Sequence, residues 1–437
     1  MPGHKRNKNF IGQDLLNLDM TEIDGLDNLQ NPNGIIKDAQ ENCAKIFGCH
    51  ESFFVVNGAS SAVMSAIFSV CNEHDEIIAM RNSHKSFYNA LELSGVHAHY
   101  LYGKNFWNAI NYGELENLLR QKSKVKAVFI TSPNYEGFCL DVKKISQLTH
   151  QYKKILIVDE SHGSHFIFHE KFPLSAIKSG ADIVINSLHK TLPCLTQSAV
   201  LHVNSNLIDT ERVKKYLAMF QTSSPSYIFM SIIDSTLKKI SQPNFFDKYV
   251  KKLEDVRNIL SNNKIIHLAN KFDVKNFGFN DLDISKLTFF VNSNINAEKI
   301  LRDKFSIQIE MQGLNHFIAL TSIADTDLGF EKLIHAINYL EKNCEYKKLN
   351  FEQETPVKLK TAFSVKQTNL KSKQYIELEK SLNKISADYI TVYPPGIPLI
   401  IPGEIISQEI IESVKNYMNK GINVLGVKEN FVAVVEH

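Results

Sequence analysis

Five short apolar runs dominate the first half of the chain: "DEIIAM", "VKAVFITS", "KILIVDES", "ADIVINS" and "SAVLHV", with helical stretches such as "KSFYNALELSG" and "VKKISQLTHQY" between them. Continuous Val- and Ile-rich strands separated by helices specify an α/β fold, a mostly parallel sheet covered on both faces. That constraint carries a second one. In open sheets of this kind the loops beyond the carboxyl ends of the strands converge on one crevice, and ligands bind there. In this chain those loops read "RNSHKS", "TSPNYEG", "DESHGSH" and "NSLHK". Small, polar and titratable residues at successive strand ends are the pattern of a site.

At 437 residues the chain is too long for one small core and divides into two or three domains. A net charge of +2 and the lack of a strongly basic segment argue against a nucleic-acid partner. The opening "MPGHKRNKNF" is followed by no apolar stretch of the signal-peptide kind, and no apolar run is long enough to span a bilayer. The six cysteines, Cys43, Cys49, Cys71, Cys139, Cys194 and Cys344, form no CxxC pair, which fits reduced, packed thiols and a cytoplasmic location. Cys194 stands apart only by its closeness to Lys190 in sequence. From "QTSSPSY" at 221 the pattern turns to helices and then lone strands such as "KLTFFVN". The expected division is an N-terminal segment over 1–34, a large domain over 35–234, a small α/β domain over 235–345 and, after a hydrophilic connector, a C-terminal domain over 346–437.

A lysine at a strand end in a dry crevice has its pKa lowered, because burial disfavours the ammonium, and becomes a nucleophilic amine suited to a Schiff base. Pyridoxal phosphate asks a protein for such a lysine, a carboxylate to keep its pyridine nitrogen protonated, and a phosphate cradle. Lys190 supplies the first and Asp159 of "IVDESHG" the second, 31 residues apart, room for one loop-helix-strand connection that brings two strand ends together. "VVNGASSAVMSAIFSV" offers the third: Gly58 permits close backbone approach, Ser60 and Ser61 carry hydroxyls, and a helix starts there. Ser187 and His189 can close the cradle from the other side. His84 and His162 stand at the same strand ends, where one imidazole can lie flat on a cofactor ring and another can move a proton.

"PGHK", "TEIDGLDNL", "VNGASS", "RNSHKS", "IVDESHG", "SLHKTLPCLTQSA", "QTSSPSY" and "YPPGIPLIIPGE", in this order over nearly the whole chain, resemble the Orn/Lys/Arg decarboxylase family in its short bacterial form. The resemblance implies the aspartate aminotransferase fold (fold type I), with a seven-stranded mostly parallel sheet in the large domain. It implies pyridoxal 5'-phosphate as cofactor, Lys190 as its Schiff-base partner, Asp159 on the pyridinium, and His84 stacked on the ring. Gly58, Ala59, Ser60, Ser187 and His189 would hold the phosphate. Thr222 or Ser223 would reach in from a second subunit, so that a homodimer shares the site. The implied activity is decarboxylation of arginine, lysine or ornithine to its amine in polyamine metabolism.

Three positions depart from the family pattern. Ala59 stands where threonine is usual, Ser161 where alanine is usual, and Asp24 where proline is common. Residues also usually precede the "PGHK" segment, which here follows Met1, so an earlier start or a shortened N-terminal wall is implied. Glu22, Asp27 and Glu404 are candidates to receive the substrate's distal cation, each with an alternative reading as a cap, turn or surface carboxylate. The same cofactor platform also runs aldol cleavage, transamination and elimination, and a non-catalytic decarboxylase-like binding protein is the further alternative.

Overall fold

The computed structural model describes residues 18–103, 109–291, 295–344, 357–394 and 396–436. The "PGHK" segment and most of the hydrophilic connector lie outside them.

The large unit runs through α1 (Ile35–Phe47), β1 (Glu51–Val55), α2 (Gly58–Val70), β2 (Glu76–Met80), α3 (Lys85–Ser94) and β3 (His97–Leu101). It continues with α4 (Tyr112–Gln121), β4 (Val125–Thr131), the two-residue β5 (Phe138–Cys139), α5 (Val142–Gln151) and β6 (Ile155–Asp159). β7 (Ile183–Asn186), α6 (Leu188–Thr191), β8 (Ala199–Val203) and α7 (Thr210–Phe220) complete it. Every strand but β5 enters one seven-stranded sheet of order β1-β8-β7-β6-β4-β2-β3. From β3 to β7 all neighbours are parallel, and β8 runs against both β7 and β1. The mostly parallel sheet expected from the sequence is therefore present, and "SAVLHV" is its reversed strand.

Both faces of the sheet are covered. Ile77, Ala127, Phe129, Ile157 and Ile185 pack with α2, α3 and α7 on one side, while Ile78, Val128, Leu156, Val158 and Val184 pack toward α1, α4 and α5 on the other. A strand buried on two faces has no polar side to show, so its sequence reads as an unbroken apolar run. Each fully buried Val, Leu or Ile contributes roughly 1.5–3 kcal/mol relative to exposure.

Two further units pack beyond the sheet. After α8 (Tyr227–Ile240) and α9 (Asp247–Leu260) comes a four-stranded antiparallel sheet of β9 (His267–Leu268), β11 (Lys286–Phe290), β12 (Met311–Gln312) and β13 (His316–Leu320). The "KLTFF" run is its fully buried interior strand, β11. Between them, β10 (Asp281–Leu282) leaves this unit to pair with β5 of the large one. α12 (Asp327–Asn343) closes the second unit. The C-terminal residues form two three-stranded sheets around a separate core that includes Leu378, Ile400, Val414 and Val434.

One local expectation fails. Between Asp159 and Lys190 the chain makes a three-residue 3-10 helix, Phe166–Phe168, and turns, in place of the helix expected there. Buried side chains satisfy this connection where a helix ladder would have done so. The Glu160 carboxylate accepts from the Ala176 amide at 2.6 Å, and His165 Nε2 lies 3.1 Å from Asp283 Oδ1 of the second unit.

Candidate active site

β6 and β7 are direct neighbours with Asp159 opposite Ile185, so Asp159 and the short α6 that carries Lys190 emerge side by side. They open onto a cavity of about 290 Å³. Nine of the residues expected from the sequence line it: Gly58, Ala59, Ser60, His84, Asp159, His162, Ser187, His189 and Lys190. Thr222 and Ser223 do not. Both are exposed on their own chain, where the Thr222 carbonyl accepts from Gln30 Nε2 at 3.4 Å. Cys194 also lies outside the cavity lining, its thiol pushed up to about 11 by burial.

The Lys190 Nζ is 3.1 Å from His162 Nε2. Burial lowers the Lys190 pKa, against the opposing pull of Asp159 and then Glu310. Burial also holds His162 well below the usual imidazole range, with Lys190 and Lys286 adding to the effect. Both effects favour the neutral imidazole, whose Nε2 shares a hydrogen bond with the lysine amine. The edge of Tyr135 packs against the His162 ring, with centroids 5.0 Å apart at 74°. His84 caps α3: its Nδ1 accepts from the Ser86 amide at 3.2 Å and lies 2.9 Å from Ser86 Oγ, which fixes the ring at the cavity wall. Burial lowers its pKa too, against Asp159. Asp159 Oδ1 accepts from the backbone amide of Ser161 at 3.1 Å, a bond that the alanine usual at this position would also give.

The cradle end is built by backbone. α2 begins after Asn57 with no side-chain cap, which leaves its first amides and positive dipole end facing the cavity. Gly58 there has φ +80°, and a Cβ on it would meet only the Gln197 carbonyl at 4.0 Å. Among the described residues, Asn82 Oδ1, Thr131 Oγ1 and His162 Nδ1, all from cavity-lining residues, are buried without a hydrogen-bond partner. A flat ring bearing polar substituents and a phosphate fits this donor and acceptor set.

Two of the three carboxylates considered for the substrate's distal cation are committed elsewhere. Asp27 Oδ1 accepts from the amides of Asn28 and Asn33, and its Oδ2 from those of Gly34, Ile36 and Lys37, capping the approach to α1. Glu404 is fully buried in a two-pronged pair with Arg81. Glu22 is exposed and does not line the cavity. The sequence reading did not single out Asn82, Thr131, Tyr135 or Gln197, which do line it. For Thr131 and Tyr135 the signal was at hand in "TSPNYEG", which starts on the last residue of β4.

A lysine and a carboxylate at adjacent strand ends, facing an uncapped helix start on this sheet, define an α/β enzyme of the aspartate aminotransferase kind, fold type I. The sequence profile described as "Orn/Lys/Arg decarboxylase, major domain" matches residues 1–324, and the "Orn/Lys/Arg decarboxylase, C-terminal domain" profile matches residues 344–423. The chain belongs to the Orn/Lys/Arg decarboxylase family. It is 31% identical to the arginine decarboxylase of Bacillus anthracis over 98% of this chain and 91% of that one. It is 30% identical to the arginine decarboxylase of Bacillus subtilis, over 100% and 93% of the two chains. Among solved structures, lysine decarboxylase A from Pseudomonas aeruginosa superposes with a TM-score of 0.83 at 18% identity, covering 100% of this chain and 78% of that one.

Proposed function

We propose that this chain decarboxylates a basic amino acid with pyridoxal phosphate, and that arginine is the preferred substrate. The observation that carries the reading is the Lys190–His162 contact of 3.1 Å beside Asp159 in a cavity headed by the uncapped α2. Arginine is favoured because four relatives that match over 92% or more of this chain at 30–31% identity carry that name.

Pyridoxal phosphate, when bound, supplies the sink for the electron pair released as CO2 leaves. The chain's residues set the conditions for that step. Burial keeps the Lys190 amine readily deprotonated, so it can hold the cofactor and yield to the substrate's α-amine. Asp159 provides the fixed negative charge that keeps the pyridine nitrogen protonated. His84, locked by Ser86, would stack on the cofactor ring. Neutral His162 holds the Lys190 amine in place and can pass a proton to or from it. Gly58, Ala59 and Ser60 at the start of α2, with Ser187 and His189, would hold the phosphate. In this reading the enzyme is a cytoplasmic homodimer that feeds polyamine synthesis, with Thr222 or Ser223 of each subunit completing its partner's site.

The test is incubation of the purified protein and pyridoxal phosphate with equal arginine, lysine and ornithine, with mass spectrometry for agmatine, cadaverine and putrescine. Agmatine should dominate and disappear in Lys190→Ala. Incorporation of label from heavy water at Cα without CO2 release would instead place the chain among the other chemistries of this fold.

A further inference from the structure

A basic substrate brings a second positive charge into a cavity that already holds Lys190, with Lys286 buried behind it. That charge needs a carboxylate with an oxygen to spare. Most carboxylates around the site have none. Glu160 is taken by the Ala176 amide and Asn186, and Glu404 by Arg81, while Asp283 gives its Oδ1 to His165 and Ser285 and keeps an unpartnered Oδ2 sealed in the interior. Glu136 lies against His316 at 3.7 Å, and burial pushes its carboxyl up to about 7.

Glu310 differs. It sits just before β12, half-buried, and its Oε1 accepts from the Tyr135 hydroxyl at 2.5 Å. Glu310 is not itself a lining residue and approaches the cavity behind Tyr135, which lines it and packs on His162. Among the described residues no cation pairs with Glu310, and its Oε2 has no hydrogen-bond partner. Its negative field nevertheless reaches the Lys190 amine and the buried Lys286. Tyr135 is itself held from behind: Lys286 Nζ donates to its carbonyl and stands 4.9 Å from its ring centroid.

Building on the decarboxylase reading, we propose that Glu310, oriented by Tyr135, receives the distal cation of the basic amino acid and so determines which substrates the site accepts. Glu310 is the specificity residue and Tyr135 its positioning residue.

Cadaverine and pentylamine differ only by the distal ammonium, and agmatine carries a guanidinium there. Calorimetric binding of these amines to the cofactor-loaded enzyme reads the contact without turnover. Wild type should bind its best cationic amine more tightly than pentylamine. Glu310→Gln should lose about ten- to a hundredfold of that preference, as expected for a charge-assisted hydrogen bond, and leave pentylamine affinity and the bound-cofactor absorbance unchanged. Glu310→Asp, which keeps the charge, should recover part of the preference, and Tyr135→Phe should show an intermediate loss with KM moving more than kcat. Survival of the full preference in Glu310→Gln, or equal loss for pentylamine, overturns the assignment. If wild type releases CO2 from none of arginine, lysine or ornithine, the functional reading falls and this inference with it; if it does release CO2 and Glu310→Gln still discriminates, only Glu310 is wrongly assigned.

Discussion

Arg81 and Glu404 stand 323 residues apart in sequence and meet through two hydrogen bonds, Nη2 to Oε2 at 2.7 Å and Nε to Oε1 at 3.1 Å. The same guanidinium donates to the Tyr88 hydroxyl and to the carbonyls of Pro398 and Leu399, and Glu404 also accepts from the Ile401 amide. The pair clamps the end of β2 to the "IPLIIPGE" segment. Removing one partner leaves an uncompensated buried charge, so Glu404→Gln should cost about 3–5 kcal/mol. Urea titration checks this. The variant's preference among basic amino acids should stay as in wild type, because Glu404 has no oxygen left for a substrate.

Ala59 gives a prediction of opposite sign. It lines the cavity at the first turn of α2, where the resembled family usually carries a threonine. Ala59→Thr adds a hydroxyl where the phosphate would sit. A hydrogen bond to a charged group contributes about 1.5–3 kcal/mol. The dissociation constant of pyridoxal phosphate, from fluorescence titration of the apoprotein, should therefore fall about tenfold or more, with kcat little changed.

Asp159 is expected to act on chemistry more than on binding. Asp159→Asn keeps the shape and the acceptor for the Ser161 amide but removes the fixed charge. Loss of one preorganised electrostatic partner typically costs about 10²–10³ in kcat. Cofactor should remain bound, visible by its absorbance, while kcat drops by at least that range and KM moves little.

His202 makes stability depend on pH. Its imidazole is fully buried on β8, with Nδ1 2.8 Å from Ser52 Oγ, and burial pushes its pKa down to about 3. In the unfolded chain it would take up a proton near pH 6.5. The folded pKa is the depressed one, so this contribution is whole above pH 6.5 and is lost as pH falls toward 3, by about 1.4 kcal/mol per unit. His202→Gln cannot charge. Its urea midpoint should decline less between pH 7 and 5 than that of wild type, whatever its offset at pH 7.

The large unit was legible because its signals are local. Each buried strand is a continuous apolar run, and each site residue at its end follows within a few positions. Lys190, Asp159, His84 and His162, which line one cavity in the structure, were picked out that way. β3 escaped because it is an edge strand whose "HAHYL" alternates polar and apolar. The missing helix between β6 and β7 was an error of length: 31 residues can hold one, but buried Glu160 and His165 satisfy turns there instead. Glu310 and Lys286 were illegible for another reason. They reach Tyr135 across 175 and 151 residues, a pairing made by the second unit and written in no local period. Asp27 and Glu404 stood in matching motifs, and only their hydrogen bonds show that they are structural.

The short pairing of β5 with β10 has a consequence for how such a chain can diverge. It stitches the "TSPNYEG" loop to the unit that carries Lys286 and Glu310, and a Cβ on Gly137 would come within 2.9 Å of the Lys286 side chain. The end of the cavity that carries Lys190 and Asp159 is therefore built by neighbouring strands of one sheet, while the Tyr135 side is backed by segments far away in sequence. Substitutions in the second unit can therefore reach the Tyr135 side of the cavity while leaving the strands that carry Asp159 and Lys190 untouched.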